Sequence, residues 1–197
     1  FTDHVRDAPW DHMTALHFYL WAALERGRLD EIALRAPPAF ARAAARSDRY
    51  GATGAAANYA NLAWLLRTPD EARRVLETCD SFWAGERYNL LAYDIDLARV
   101  NLDLSEGNGI AAARRADTTM AKLERSFFLH VAAIRRDAAW MRARARIAAV
   151  TVTSGAARAA WQTRAAAAIR WLARCRVAHS PALARFAEAC LLGAAGH

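Results

Sequence analysis

Helix breakers are scarce in this chain, with 5 prolines and 9 glycines among 197 residues. Few places are left where a helix must stop, and with alanine, leucine and arginine dominant the composition predicts an all-α fold. Long apolar runs are missing too. No uninterrupted stretch approaches the ~20 residues of a membrane span, and no charged-then-apolar leader is present, so the reading is of a soluble, cytoplasmic protein. The three cysteines, Cys79, Cys175 and Cys190, are odd in number, far apart and without C-x-x-C spacing. That excludes a disulfide framework and a zinc ribbon, and leaves small apolar side chains in a reducing compartment.

Catalytic signatures are likewise absent: the sequence holds no glycine-rich phosphate loop, H-E-x-x-H, G-x-S-x-G or kinase catalytic loop. Glu106-Gly107-Asn108-Gly109 lacks the lysine of a phosphate cradle and follows a helical pattern rather than a strand, so it reads as a turn. His12 and His17 lie five apart and share no helical face for a metal, while His4, His130, His179 and His197 have no partner spacing. Asp94 and Asp96, two apart, point to different helix faces and, with Asp103, read as solvated or inter-helix acids. No catalytic residue, metal or cofactor is assigned. The chain itself is read as non-enzymatic.

Lysine is nearly missing: of 27 basic residues only Lys122 is not arginine, which points to a compositional bias towards arginine and alanine. The charge is also uneven. Residues 1–100 carry 12 basic and 14 acidic side chains, net −2, whereas residues 101–197 carry 15 and 6, net +9.

What is present is helical periodicity broken by short turns. A first helix is predicted from Pro9-Trp10 to Arg26, with Phe18, Trp21, Ala22 and Leu24 among its apolar residues and Gly27 as its end. A second opens at Leu29-Asp30-Glu31 and is expected to kink or break at Pro37-Pro38. A third covers about 49–66, with Tyr59, Leu62, Trp64 and Leu65 supplying bulk. Thr68-Pro69-Asp70-Glu71 then specifies the start of a fourth, with threonine as cap and proline in the first turn. Its apolar face is Ala72, Val75, Leu76, Cys79, Phe82 and Trp83; Arg73, Arg74, Glu77 and Asp80 point away.

The stretch 88–116 reads as two helices joined by the turn Ser105-Glu106-Gly107-Asn108-Gly109. The first carries two apolar stripes, one through Leu90, Tyr93, Leu97, Val100 and Leu104, the other through Leu91, Ile95, Ala98 and Leu102. It therefore has neighbours on two sides. From Phe127 a long pattern places Val131, Ile134, Ala138, Met141, Ala145 and Val152 inward and Arg135, Arg142 and Arg146 outward, with Val150-Thr151-Val152-Thr153 as a fraying end. Ser154-Gly155 breaks it. An eighth helix follows, and Ser180-Pro181 caps a ninth.

The turns near residues 24, 65, 104 and 152 recur at intervals of roughly 40 to 48 residues, longer than the ~34 of a tetratricopeptide repeat and near the upper range of helical solenoid repeats. The expected architecture is a single domain over 1–197, a tetratricopeptide-like α-solenoid of about four helical hairpins plus a terminal helix. Particular wording carries a resemblance. Ala8-Pro9-Trp10, Gly27-Arg28-Leu29-Asp30-Glu31, Arg35-Ala36-Pro37-Pro38-Ala39 with the following Arg42, Asn61-Leu62-Ala63-Trp64 and Pro69-Asp70-Glu71-Ala72-Arg73 resemble the C-terminal tetratricopeptide-like helical region of large bacterial, myxobacterial-type serine/threonine protein kinases. The match covers most of the chain, most clearly residues 8–125. The resemblance implies a regulatory or protein–protein interaction role, with none of these residues catalytic. A start at Phe1 without methionine fits a segment of a larger multidomain protein, and Phe1 and Trp10 are the residues a preceding domain is expected to cover.

Two binding surfaces follow. First helices of stacked hairpins line the inner face, so Asn58, Asn61, Asn89, Asp96 and Arg99 are candidates to hydrogen-bond a peptide or partner helix, against the alternative of ordinary exposed polar positions. Arg164, Trp171 and Arg174, with Arg135, Arg142 and Arg146 on the preceding helix, form a basic–aromatic patch suited to acidic peptide or nucleic acid, against that of a solvated arginine face. The leading expectation is an interaction scaffold of a signalling protein. The alternative is a nucleic-acid-binding or transcription-regulatory domain using the basic C-terminal half.

Overall fold

A computed structural model describes residues 9–63, 68–83 and 88–196. Every regular element among them is helical: α1 (Pro9–Glu25), α2 (Leu29–Ala45), α3 (Arg49–Ala63), α4 (Pro69–Trp83), α5 (Leu90–Ser105), α6 (Gly109–Glu124), a 3-10 turn at Phe128–His130, α7 (Ala132–Thr151), α8 (Gly155–Ala173) and α9 (Ser180–Ala195). The all-α expectation holds. No helix among the described residues is long and apolar enough to cross a membrane. Two compact units divide the chain, residues 1–98 and 99–197, and the division falls inside α5.

Turn chemistry sets the helix boundaries. After α1, Gly27 adopts φ +69°, the Arg28 N–H reaches back to the Ala23 carbonyl at 2.8 Å and the Gly27 N–H to that of Leu24 at 3.0 Å. This left-handed closure satisfies the last carbonyls of the helix. α5 ends the same way at Gly107, φ +76°, with the Asn108 N–H on the Asp103 carbonyl at 2.8 Å. Ser47, φ +56°, takes the equivalent place after α2, and the Asp48 N–H meets the Ala43 carbonyl at 2.9 Å. The Asp48 carboxylate then caps α3 by accepting from the Gly51 N–H at 2.9 Å. α4 begins at Pro69, where the Thr68 carbonyl accepts from the Ala72 N–H at 3.1 Å.

Three local expectations are corrected. α2 runs through Pro37 and Pro38 without the break that was the stronger form of the expectation there. The two missing N–H groups free the carbonyls of Ala33 and Leu34, both exposed residues, so water can take up what the helix gives up. Val131 and Val152, expected inward, are 48% and 49% exposed. They are the N- and C-caps of α7, and outside the helix its periodicity no longer sets their direction. Ser180 is the first residue of α9 rather than its cap; His179 holds the cap position, and no side-chain capping bond is made.

In residues 1–98, α1 packs on α2 and α3, α2 on α3, and α3 on α4. Leu20, Ile32 and Leu62 supply bulk, while Ala36, Ala39, Ala43, Ala52 and Ala55 let the helix backbones come close. Trp64 and Leu65, and the side chains of Phe82 and Trp83, lie outside the described residues, as does Phe1; Trp10 is 61% exposed. In residues 99–197, α7 packs against α6, α8 and α9, and α8 against α9. Ala139, Ala143, Ala168, Ile169, Leu172 and Ala187 form that core, with Trp140 and Trp171 half-buried against it. α6 starts so close to α7 that a Cβ at Gly109 would overlap the Ala148 carbonyl.

Candidate functional site

In each unit one polar cluster links three helices. In residues 1–98 the centre is His17, in phase with Met13 and Leu20 on the inward face of α1 and 4% exposed. α3 supplies Asn58, whose amide nitrogen lies 3.2 Å from His17 Nδ1 and also donates to the Gly54 carbonyl at 2.8 Å. Gly54 has no side chain to intrude, and a Cβ there would sit 3.4 Å from the ring. On the other side of the ring, Asp94 of α5 brings Oδ2 to 3.3 Å from Nε2, off the axis of a hydrogen bond. Donation by the Asn58 amide makes Nδ1 the acceptor and leaves the ring proton on Nε2, facing the carboxylate. Burial pulls the His17 pKa down to about 4, so the imidazole is neutral at pH 7.

Next to it, burial first and the Asp96 and Asp94 carboxylates second push the Tyr88 hydroxyl well above the usual phenol range. An aspartate beside a histidine is two of the three members of a nucleophile-activating triad, but the nitrogen that would take a proton from a hydroxyl or thiol is occupied by Asn58. What the arrangement does is tie α1, α3 and α5 together.

Asn58, Asn61 and Asp96 are 5%, 3% and 6% exposed. Both asparagines donate to the carbonyl one turn back, Asn58 to Gly54 and Asn61 to Ala57 at 3.1 Å. Asn89 caps α5, its side-chain oxygen accepting from the Ala92 N–H at 3.0 Å. Arg99, the first residue of the second unit, is half-buried. Thus Asn58 meets His17, Asn61 bonds along its own helix, and Asn89 acts at a helix end. His17 and Asp94 form a functional-looking pair whose members the sequence offers only separately, as a histidine without a partner and a solvated or inter-helix acid. Their signal is His17's place four residues after Met13 and three before Leu20, a core register for a polar ring.

In residues 99–197 the centre is Asp117 on α6. A single oxygen, Oδ1, accepts from Arg142 Nε at 3.0 Å and from Arg146 Nη2 at 2.7 Å. Arg146 Nη1 donates in turn to the Arg164 carbonyl on α8 at 2.7 Å. Arg146 was expected to point outward and is instead 6% exposed, because α7 lies between α6 and α8 and both offer its guanidinium an acceptor. Burial and the like charges of Arg142 and Arg164 lower its pKa, and Asp117 opposes them.

Arg164 is exposed and stacks over Trp161 at 4.9 Å rather than on Trp171, which packs into the core. The Arg135 carbonyl accepts from the Cys175 thiol at 4.0 Å and its guanidinium acts on the same thiol, while Arg174 is the exposed C-cap of α8. Of the six residues of the basic–aromatic patch, the structure brings together Arg142, Arg146 and Arg164. No group of three or more histidine, cysteine, aspartate or glutamate side chains that could hold a metal occurs among the described residues. Comparison with family models, curated proteins and solved structures yields no match.

Proposed function

We propose that the chain is a non-catalytic, tetratricopeptide-like stack of helical hairpins that serves protein–protein interaction as the regulatory arm of a bacterial signalling protein, a serine/threonine kinase by the resemblance of its turns. The observation that carries the scaffold part is next-but-one packing. α1 lies on α3 in the first unit and α7 on α9 in the second. First helices of successive hairpins meet in this way in a stack, whereas alternate helices of an up-down bundle are diagonal to each other. Partners are a protein, a peptide or other domains of the parent chain.

The test is the intact mass and peptide map of the native polypeptide, followed by deletion of residues 1–197 from it. The expected result is a kinase catalytic loop N-terminal to this segment. The deletion should then lower phosphorylation of a protein substrate and leave that of a short peptide unchanged. A native polypeptide that begins at or just before Phe1 removes the kinase assignment, and equal loss on both substrates removes the recruiting role.

A further inference from the structure

Several arginines in the second unit are each engaged by one acceptor within the fold. Arg115 pairs with Asp103 at 2.8 Å, Arg136 with Asp137 at 3.0 Å, Arg144 donates to the Asn101 side chain at 2.8 Å, and Arg158 donates to the Ala194 carbonyl. The cluster at Asp117 breaks that pattern. Arg142 and Arg146 share the one carboxylate of Asp117, and Arg164, whose carbonyl holds Arg146, brings a third guanidinium within electrostatic reach of Arg146, leaving two positive charges in surplus. Arg146 is held in place from both sides, and its Nε–H, buried in α7, has no acceptor among the described residues. The Arg142 side chain keeps 26% of its surface and Asp117 31%, so the cluster opens to solvent on the side away from Arg146. Arg164, on the neighbouring α8, is exposed, steadied by Trp161 and without a carboxylate partner among the described residues.

We infer that Arg142, Arg146 and Arg164 form a site for a phosphate monoester dianion, borne on a phosphorylated serine or threonine of a protein partner, beside the Asp117 carboxylate. Two surplus charges match a dianion, and planar guanidinium forks suit phosphate oxygens better than point charges do. At this cluster the surplus is gathered around one carboxylate. A nucleic-acid backbone is followed by basic groups strung along a groove, and the neighbouring arginines named above are already engaged within the fold. Asp117 acts in this site as a resident competitor that orders Arg142 and Arg146 while no phosphate is bound. The partner class rests on the scaffold reading; the site itself does not.

Arginine Nε–Hε signals, followed by NMR in the whole chain, test this. The probes are a short phosphothreonine peptide flanked by alanines, its unphosphorylated form, and oligothymidylate. The phosphopeptide should shift Arg142 and Arg164 with a dissociation constant in roughly the millimolar range, as befits one small anion contact near a surface. The unphosphorylated peptide should shift neither. Arg164→Gln, at an exposed position, should weaken binding about 5-fold, and Asp117→Asn should tighten it by a similar factor. If Asp117→Asn fails to fold, the Arg164→Gln comparison decides. Absence of a phosphate-dependent shift, or an Arg164→Gln variant that binds unchanged, overturns the site. Oligothymidylate shifts spread evenly over the arginines of α8 and α9 would assign the face to nucleic acid instead. A parent protein without a kinase would leave these results untouched, so the two readings can fail separately.

Discussion

Residues 1–98 bury an imidazole and two carboxamides, at His17, Asn58 and Asn61, whereas residues 99–197 bury guanidiniums, at Arg136 and Arg146. Imidazole can be taken out of water by shedding its proton, and the carboxamides need only a hydrogen-bond partner. Guanidinium cannot shed its proton in a protein, so it must take acceptors with it: Asp137 for Arg136, and Asp117 with the Arg164 carbonyl for Arg146. The first arrangement is therefore sensitive to pH and indifferent to anions. The second is the reverse.

Acidification should separate the two units most sharply. In the unfolded chain His17 takes a proton near its ordinary value of 6.5, but the folded state holds it off until about 4. Between those values the unfolded state binds more protons, so the stability that neutral His17 contributes is present above 6.5 and is lost as pH falls towards 4. The loss amounts to about 3 kcal/mol. Hydrogen exchange, corrected for its intrinsic pH dependence, should show protection falling in α1 and α3 across this window while α7 and α8 hold steady. His17→Gln should flatten the response of α1. Equal responses in the two units would mean that the buried imidazole is not what distinguishes them.

A second contrast lies in the glycines, beginning with Gly109. Here a Cβ would overlap the Ala148 carbonyl, a backbone atom of α7 that cannot rotate aside. Gly109→Ala should cost about 2 to 3 kcal/mol, the scale of overpacking against a rigid neighbour. Urea unfolding of the second unit, followed at Trp140 and Trp161, should register it as a lower midpoint. An unchanged midpoint would mean that α6 can step back from α7.

Much of the fold was legible because short-range rules fix it. Gly27 and Gly107 end helices, Thr68-Pro69 starts one, and the two stripes of α5 are buried or half-buried along their length. The break expected at Pro37-Pro38 is missing for a local reason: the rule counts the lost hydrogen bonds, but whether water replaces them depends on which face Ala33 and Leu34 turn outward. The polar centres were harder. Asn58 and Asn61 are conspicuous in the sequence, yet whether such a side chain faces a partner or a neighbouring helix depends on contacts between residues some forty positions apart, as with His17 and Asn58. Arginine spacing on α7 marks Arg142 and Arg146 as neighbours, but only α6 and α8 decide that Arg146 is inside and that Asp117 is their common acceptor.

The smallest expected effect tests the His17 site from its open side. Gly54 sits in the middle of α3, where alanine would gain up to about 1 kcal/mol of helix propensity. Its Cβ would lie 3.4 Å from both His17 Nδ1 and Leu91 Cδ2, an ordinary contact rather than an overlap. The ring cannot retreat far, since Asn58 and Asp94 hold it on two sides, so part of that gain is spent on a tight fit. Gly54→Ala should raise the stability of the first unit by about 0.5 kcal/mol and leave the His17 titration in place, both readable from the same urea and exchange measurements. A loss of stability together with a rise in the His17 pKa would show that the added methyl displaces the ring from Asn58. The glycine would then be there to seat the histidine, as Gly109 is there to seat a helix.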